Sequence, residues 1–234
     1  MTRYLRFCGS LIAVNDGAQL TPSTTPQAIG AALLLMSSSF LMAEISGHPS
    51  SVISAPWVAD QADGTYRNPV LHADYSDPDV VRVGEDYWMT ASSFCHTPGL
   101  PILHSRDLVN WTLVNHALPA LVPAEHFRTP RHGEGVWAPS IRFHAGLFWI
   151  FYPDPDFGLY VITATDPRGK WSEPYLLKAG RGLIDSCPLW DDDGRAWMVH
   201  GWAKSRAGIN NRLTVHEMSP DGKRLLDEGR TVID

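Results

Sequence analysis

The chain has 234 residues, 10% of them aromatic, and a net charge of -6 at neutral pH. This composition supports a packed core and excludes a chain that is disordered for most of its length. Acidic and basic residues are interspersed, so no basic stripe exists to neutralise phosphates, and nucleic acid is excluded as the expected partner.

Residues 1–60 differ from the rest. No Lys or Arg occurs between Arg6 and Arg67, and the stretch is rich in Ser, Ala, Pro and Thr. Ala28 to Ala43 has the length of a signal h-region and is too short and too broken by Ser for a membrane span. Arg3 and Arg6, however, lie far upstream of it, where a signal would place its positive charge next door. The segment is expected to be a leader or signal-like piece outside the fold, with no membrane as partner. A signal would make the protein secreted or periplasmic, and a plain leader would leave it cytoplasmic.

From Asn68 onward one pattern recurs three times. The copies read Pro78-Asp-Val-Val-Arg-Val-Gly84, then Pro139-Ser-Ile-Arg-Phe-His-Ala-Gly146, then Pro188-Leu-Trp-Asp-Asp-Asp-Gly194, each followed by an aromatic-apolar run. In each, Pro is expected to open a short strand and Gly to make a hairpin turn. Two further strands follow each hairpin, with recurring turns such as Arg106-Asp-Leu-Val-Asn-Trp111 and Asp166-Pro-Arg-Gly-Lys-Trp171. About four antiparallel strands per unit predict an all-β fold of β-propeller blades over 66–234, about three blades in all. A β-sandwich, which also shows short strands at regular spacing, is the alternative. Helical periodicity is nearly absent.

Two carboxylates stand at corresponding places. Asp77 lies where a loop enters the first repeat, and Asp185 arrives at nearly the same place two repeats later. Strands converging on one axis would bring them together, which is how a sugar-cleaving site is built. Asp74 and Asp79 rival Asp77 by proximity, and an Asp before Pro also serves as a turn cap. Asp191, Asp192 and Asp193 read as a solvated hairpin turn with Gly194 and not as a metal site. Cys8, Cys95 and Cys187 have neither disulfide-framework nor zinc spacing and read as incidental free thiols.

The residues resemble glycoside hydrolase family 43, the five-bladed β-propeller β-xylosidases and α-L-arabinofuranosidases. The resemblance rests on Asn68-Pro-Val-Leu with Tyr75-Ser-Asp-Pro-Asp79, Phe94, Leu100-Pro-Ile-Leu-His-Ser-Arg-Asp-Leu-Val-Asn-Trp111, Gly135-Val-Trp-Ala-Pro-Ser-Ile141, Trp171-Ser-Glu-Pro174 and Gly182-Leu-Ile-Asp-Ser-Cys-Pro-Leu-Trp190. It implies an inverting, exo-acting enzyme on xylo-oligosaccharides, with Asp77 as general base and Asp185 as the carboxylate that orients the general acid and raises its pKa. Phe94 and Trp137 would line the sugar pocket. The chemistry needs no cofactor and the reading includes no catalytic metal, while the resemblance allows a structural calcium in the propeller channel. The family's general acid is a Glu in the blade after the last one here. Glu85, Glu125, Glu134, Glu173, Glu217 and Glu228 lie outside a matching motif, so the acid is expected beyond Asp234.

Overall fold

The computed structural model describes residues 57–234. Residues 1–56 of the leader-like segment, Cys8 among them, lie outside that range, whereas 57–60 lie within it, with Asp60 bridged to Tyr66 and the Trp57 indole N–H donating to Pro69 O at 2.8 Å. Twelve strands form three separate four-stranded antiparallel meanders. The first blade holds β1 (Asp79–Val83), β2 (Asp86–Thr90), β3 (Gly99–Ser105) and β4 (Thr112–Leu118). The second holds β5 (Ser140–His144), β6 (Leu147–Asp154), β7 (Gly158–Ala164) and β8 (Tyr175–Ala179). The third holds β9 (Leu183–Trp190), β10 (Ala196–Trp202), β11 (Leu213–Met218) and β12 (Arg230–Ile233). Helix among the described residues is confined to one turn, α1 (Lys204–Ala207), and a 3-10 turn at His126–Arg128. None is long and apolar enough to cross a membrane.

The first strands of the blades, β1, β5 and β9, lie side by side, so the sheets radiate from a common line instead of stacking face to face as in a sandwich. Strand β6 shows why its sequence is an almost unbroken apolar run. Side chains alternate across a strand, and here both faces are covered. Phe148, Ile150 and Tyr152 join Trp88, Leu100 and Ile102 in a core between the first two blades. Trp149 and Phe151 point the other way, into a core with Met198 and Met218 of the third blade.

The innermost strands are also tied by polar contacts. Asp79 on β1 accepts from the Ile141 amide at 2.8 Å and from the Arg142 guanidinium on β5. Arg142 in turn reaches the Cys187 sulfur on β9 at 2.8 Å. Cys95 is a free thiol. The recurring Trp turns have one physical job: the indole N–H of Trp111 donates to Leu108 O and that of Trp171 to Pro167 O, closing the loops before β4 and β8.

The proline register needs one correction. Pro78 and Pro139 each immediately precede the first strand of their blade, but Pro188 lies inside β9, which begins at Leu183. Cross-strand pairing gives the true equivalence. Ser92 pairs back to Ser76 and Thr90 to Asp79, so Asp77 and Pro78 together face Ala91. Trp137 pairs with Pro153 and Ser140 with Phe151, so Ala138 and Pro139 face Tyr152. Ile184 pairs with Gly201 and Cys187 with Val199, so Asp185 and Ser186 face His200. The counterpart of Pro78 is Ser186. The third hairpin has a longer turn, Asp191 to Arg195, closed by Asp191 N to Arg195 O at 2.8 Å, and this moves the Pro-to-Gly spacing out of step with the blade. That turn is the solvated one the triple Asp suggested, with Asp193 paired to Arg195.

Candidate active site

At each of these three places two residues of the innermost strand oppose one on its partner, which is the arrangement of a β-bulge. Bulges bend a strand and re-aim a side chain. Here they turn Asp77, Ala138 and Asp185 into one cavity at the end of the shared line, of about 310 Å³, completed by Phe94, Trp137 and Ile184. Asp77 and Asp185 both have left-handed backbone, φ 50° and 54°. Among residues with a Cβ, Asp tolerates that conformation better than most.

The two carboxylates are held differently. Asp77 Oδ2 accepts from the Ser92 hydroxyl at 2.9 Å, which leaves its second oxygen open to the cavity. Asp185 has no such partner; enclosure by the cavity walls, and then the nearby Asp77 charge, push its carboxyl above the ordinary value. Its surface remains open to water through the mouth of the cavity, which screens its charge. Asp79 points into the blade contact with Arg142, and Asp74 lines a smaller neighbouring cavity of about 160 Å³. None of the Glu residues among those described lines the main cavity.

The aromatic wall is built across two blades. Phe94 and Val136 form a β-bridge, which brings the loop after β2 against the loop before β5. Gly135, at φ +90°, permits this approach, because a Cβ there would stand 2.4 Å from Phe94 O. Phe94 itself has φ 47°, a conformation that costs a bulky residue about 1–3 kcal/mol and concentrates at functional sites. The Trp137 ring meets Phe94 edge-on at 6.5 Å and carries the Arg206 guanidinium 5.4 Å from its centroid. Its N–H donates to Gly133 O at 3.1 Å. Arg206, on α1, is fixed by both oxygens of Asp156 at 3.0 Å.

All four side chains singled out from the sequence thus surround one cavity. Ser92, Ala138, Ile184 and Arg206 were not singled out. Ala138 was within reach, since aligning the blades on their bulges puts it level with the two aspartates; Ser92 and Arg206 carry no sequence signal of their own. Among the described residues no group of three or more His, Cys, Asp or Glu could hold a metal ion.

Blades radiating from a common line, with paired carboxylates and an aromatic wall at its end, place the molecule in the β-propeller class. The model for Glycosyl hydrolases family 43 matches residues 66–234, and the chain belongs to that family. It is 44% identical over 173 residues to a putative β-xylosidase from Xylanibacter ruminicola, covering 74% of this chain and 31% of the relative. A β-xylosidase from Formosa agariphila is 38% identical over 183 residues, with 74% and 31% covered. Among solved structures, xylan β-1,4-xylosidase from Bacillus halodurans C-125 superposes with a TM-score of 0.58 at 31% identity, over 71% of this chain and 33% of that one. The chain therefore spans about a third of the length of the relatives it matches.

Proposed function

We propose that this chain supplies the base-bearing part of an inverting, exo-acting β-xylosidase that removes xylose from β-1,4-linked xylo-oligosaccharides. The observation that carries the reading is the shared cavity of Asp77, Asp185, Phe94 and Trp137. Its volume of about 310 Å³ lies at the small end of ligand pockets and suits one sugar ring better than a polymer-binding cleft.

An inverting glycosidase needs an ionised carboxylate to deprotonate water on one side of the anomeric carbon and a protonated carboxyl to donate to the leaving oxygen on the other. Asp77 takes the first role: Ser92 holds one oxygen and the other faces the space where water and sugar meet. Asp185 acts on the acid by proximity, because a neighbouring negative charge disfavours ionisation of a second carboxyl. Trp137 and Phe94 offer ring faces to the sugar and exclude bulk water. The acid itself, as the family resemblance implies, is a Glu from a further blade.

The test uses this chain joined to the unmatched remainder of the Xylanibacter ruminicola relative. Xylobiose hydrolysis followed by proton NMR should release xylose first as the α-anomer, and Asp77→Asn should reduce kcat at least 10²-fold, the lower range for loss of a general acid or base. Release of the β-anomer, or an Asp77→Asn variant with unchanged kcat, overturns the assignment. Faster cleavage of an arabinofuranoside than of xylobiose would move the substrate to arabinose.

A further inference from the structure

The Asp185 carboxyl receives no hydrogen bond among the described residues, so its aim depends on the bulge in β9 alone. Opposite that bulge stands His200, with no exposed surface. Its Nδ1 lies 2.9 Å from Gly201 O, and its Nε2 lies 3.2 Å from Nε2 of His216, itself 1% exposed. A carbonyl can only accept, so Nδ1 of the neutral His200 carries the proton, and Nε2, which faces His216, does not. The other His216 nitrogen faces Asp227, 3.2 Å from Oδ1 and 3.3 Å from the backbone oxygen.

Each end of this histidine pair is anchored. Burial works to raise the Asp227 carboxyl, but donation from the amides of Glu217 and Gly229 and from His216 outweighs it and holds the group below its ordinary value, so it is ionised. Gly229 packs on the His216 ring so closely that a Cβ would stand 2.4 Å from Cε1. At the other end, burial lowers His200 to about 4, helped by the neighbouring His216 and Lys178, although its bond to Gly201 works the other way. The imidazole is therefore neutral at ordinary pH. Gly201 pairs with Ile184 beside the bulge, and a Cβ on it would stand 3.6 Å from Asp185 Oδ2. The fold does not require a histidine there, since the same position is Ala91 in the first blade and Tyr152 in the second.

We propose that His200 is a positioning residue for Asp185: through Gly201, whose carbonyl also fixes the His200 tautomer, it holds the bulge that aims the carboxyl into the cavity. The role of Asp185 in hydrolysis rests on the β-xylosidase reading; the positioning itself does not.

Three measurements test it. On the wild-type 234-residue chain, ¹⁵N NMR should find His200 protonated at Nδ1 and bare at Nε2; the opposite tautomer overturns the proposal. His200→Asn keeps a donor where Nδ1 stands, and His200→Leu removes it. Carboxyl-carbon NMR should then show the Asp185 titration falling toward the ordinary range in the Leu variant and staying near wild type in the Asn variant. An unchanged midpoint in the Leu variant, or equal shifts in both, overturns it, and neither result depends on catalysis. If the Leu variant does not fold, the tautomer and the Asn variant still decide: an Asn variant whose Asp185 titration leaves the wild-type position refutes the positioning role. In this chain joined to the unmatched remainder of the Xylanibacter ruminicola relative, the Leu variant should lose about 10–10² in kcat/KM, the scale of a small misplacement of a catalytic group. Its alkaline limb should move to lower pH, and Asn should restore activity to within a few-fold of wild type.

Discussion

Asp154, at the end of β6, is 2% exposed, and burial pushes its carboxyl up to about 7, with the charges of Asp156 and Glu134 adding to the effect and the Asp156 amide opposing it. The folded protein then holds a proton that the unfolded chain, with an ordinary carboxyl value of 3.8, has lost. Stability contributed by this site falls as pH rises from about 4 to 7. His200 works in the opposite sense over nearly the same range, since it stays neutral when folded and takes a proton when unfolded. Asp154→Asn removes one side of this opposition. Denaturant unfolding should show the variant gaining on wild type by a few kcal/mol, on the order of 3–4 at full effect, between pH 4 and 7; a difference that is flat with pH would contradict the account. Neither burial is legible in the sequence, because each depends on which neighbours a strand end meets. Asp77 and Asp185 were legible through their motifs, but their left-handed backbone and the hydroxyl of Ser92 were not, since both follow from cross-strand register.

At the scale of elements, the hairpins and their turn glycines could be read from local pattern because a two-fold alternation and a turn residue are local properties. Blade equivalence could not. Pro188 matches Pro78 and Pro139 by distance to the next Gly, yet the longer turn before Arg195 shifts the match by two residues, and only pairing to β10 restores it. The strand that both cores share is the best place to test the packing. Phe151 has no exposed surface and faces Met198 and Met218 across the gap between the second and third blades. Phe151→Ala should cost about 3–5 kcal/mol in denaturant unfolding, the range for emptying a buried aromatic site. A loss below about 1 kcal/mol would mean that the third blade does not depend on this core.

For the molecule as a whole, the described blades bring Asp77 and Asp185 to a common cavity while covering about a third of the relatives' length. The central claim is that these residues hold the base and that the proton donor comes from elsewhere in the family's propeller. A general acid contributes roughly 10²–10⁴ in rate, and xylobiose, whose leaving group is an alcohol, needs it in full. The direct test is xylobiose hydrolysis by the purified 234-residue polypeptide beside the same chain joined to the unmatched remainder of the Xylanibacter ruminicola relative. The account expects the short polypeptide to fall short by at least 10²-fold, with the joined chain active and its activity abolished by Asp77→Asn. Turnover by the short polypeptide equal to that of the joined chain would contradict it, because the acid would then have to lie among the residues described here.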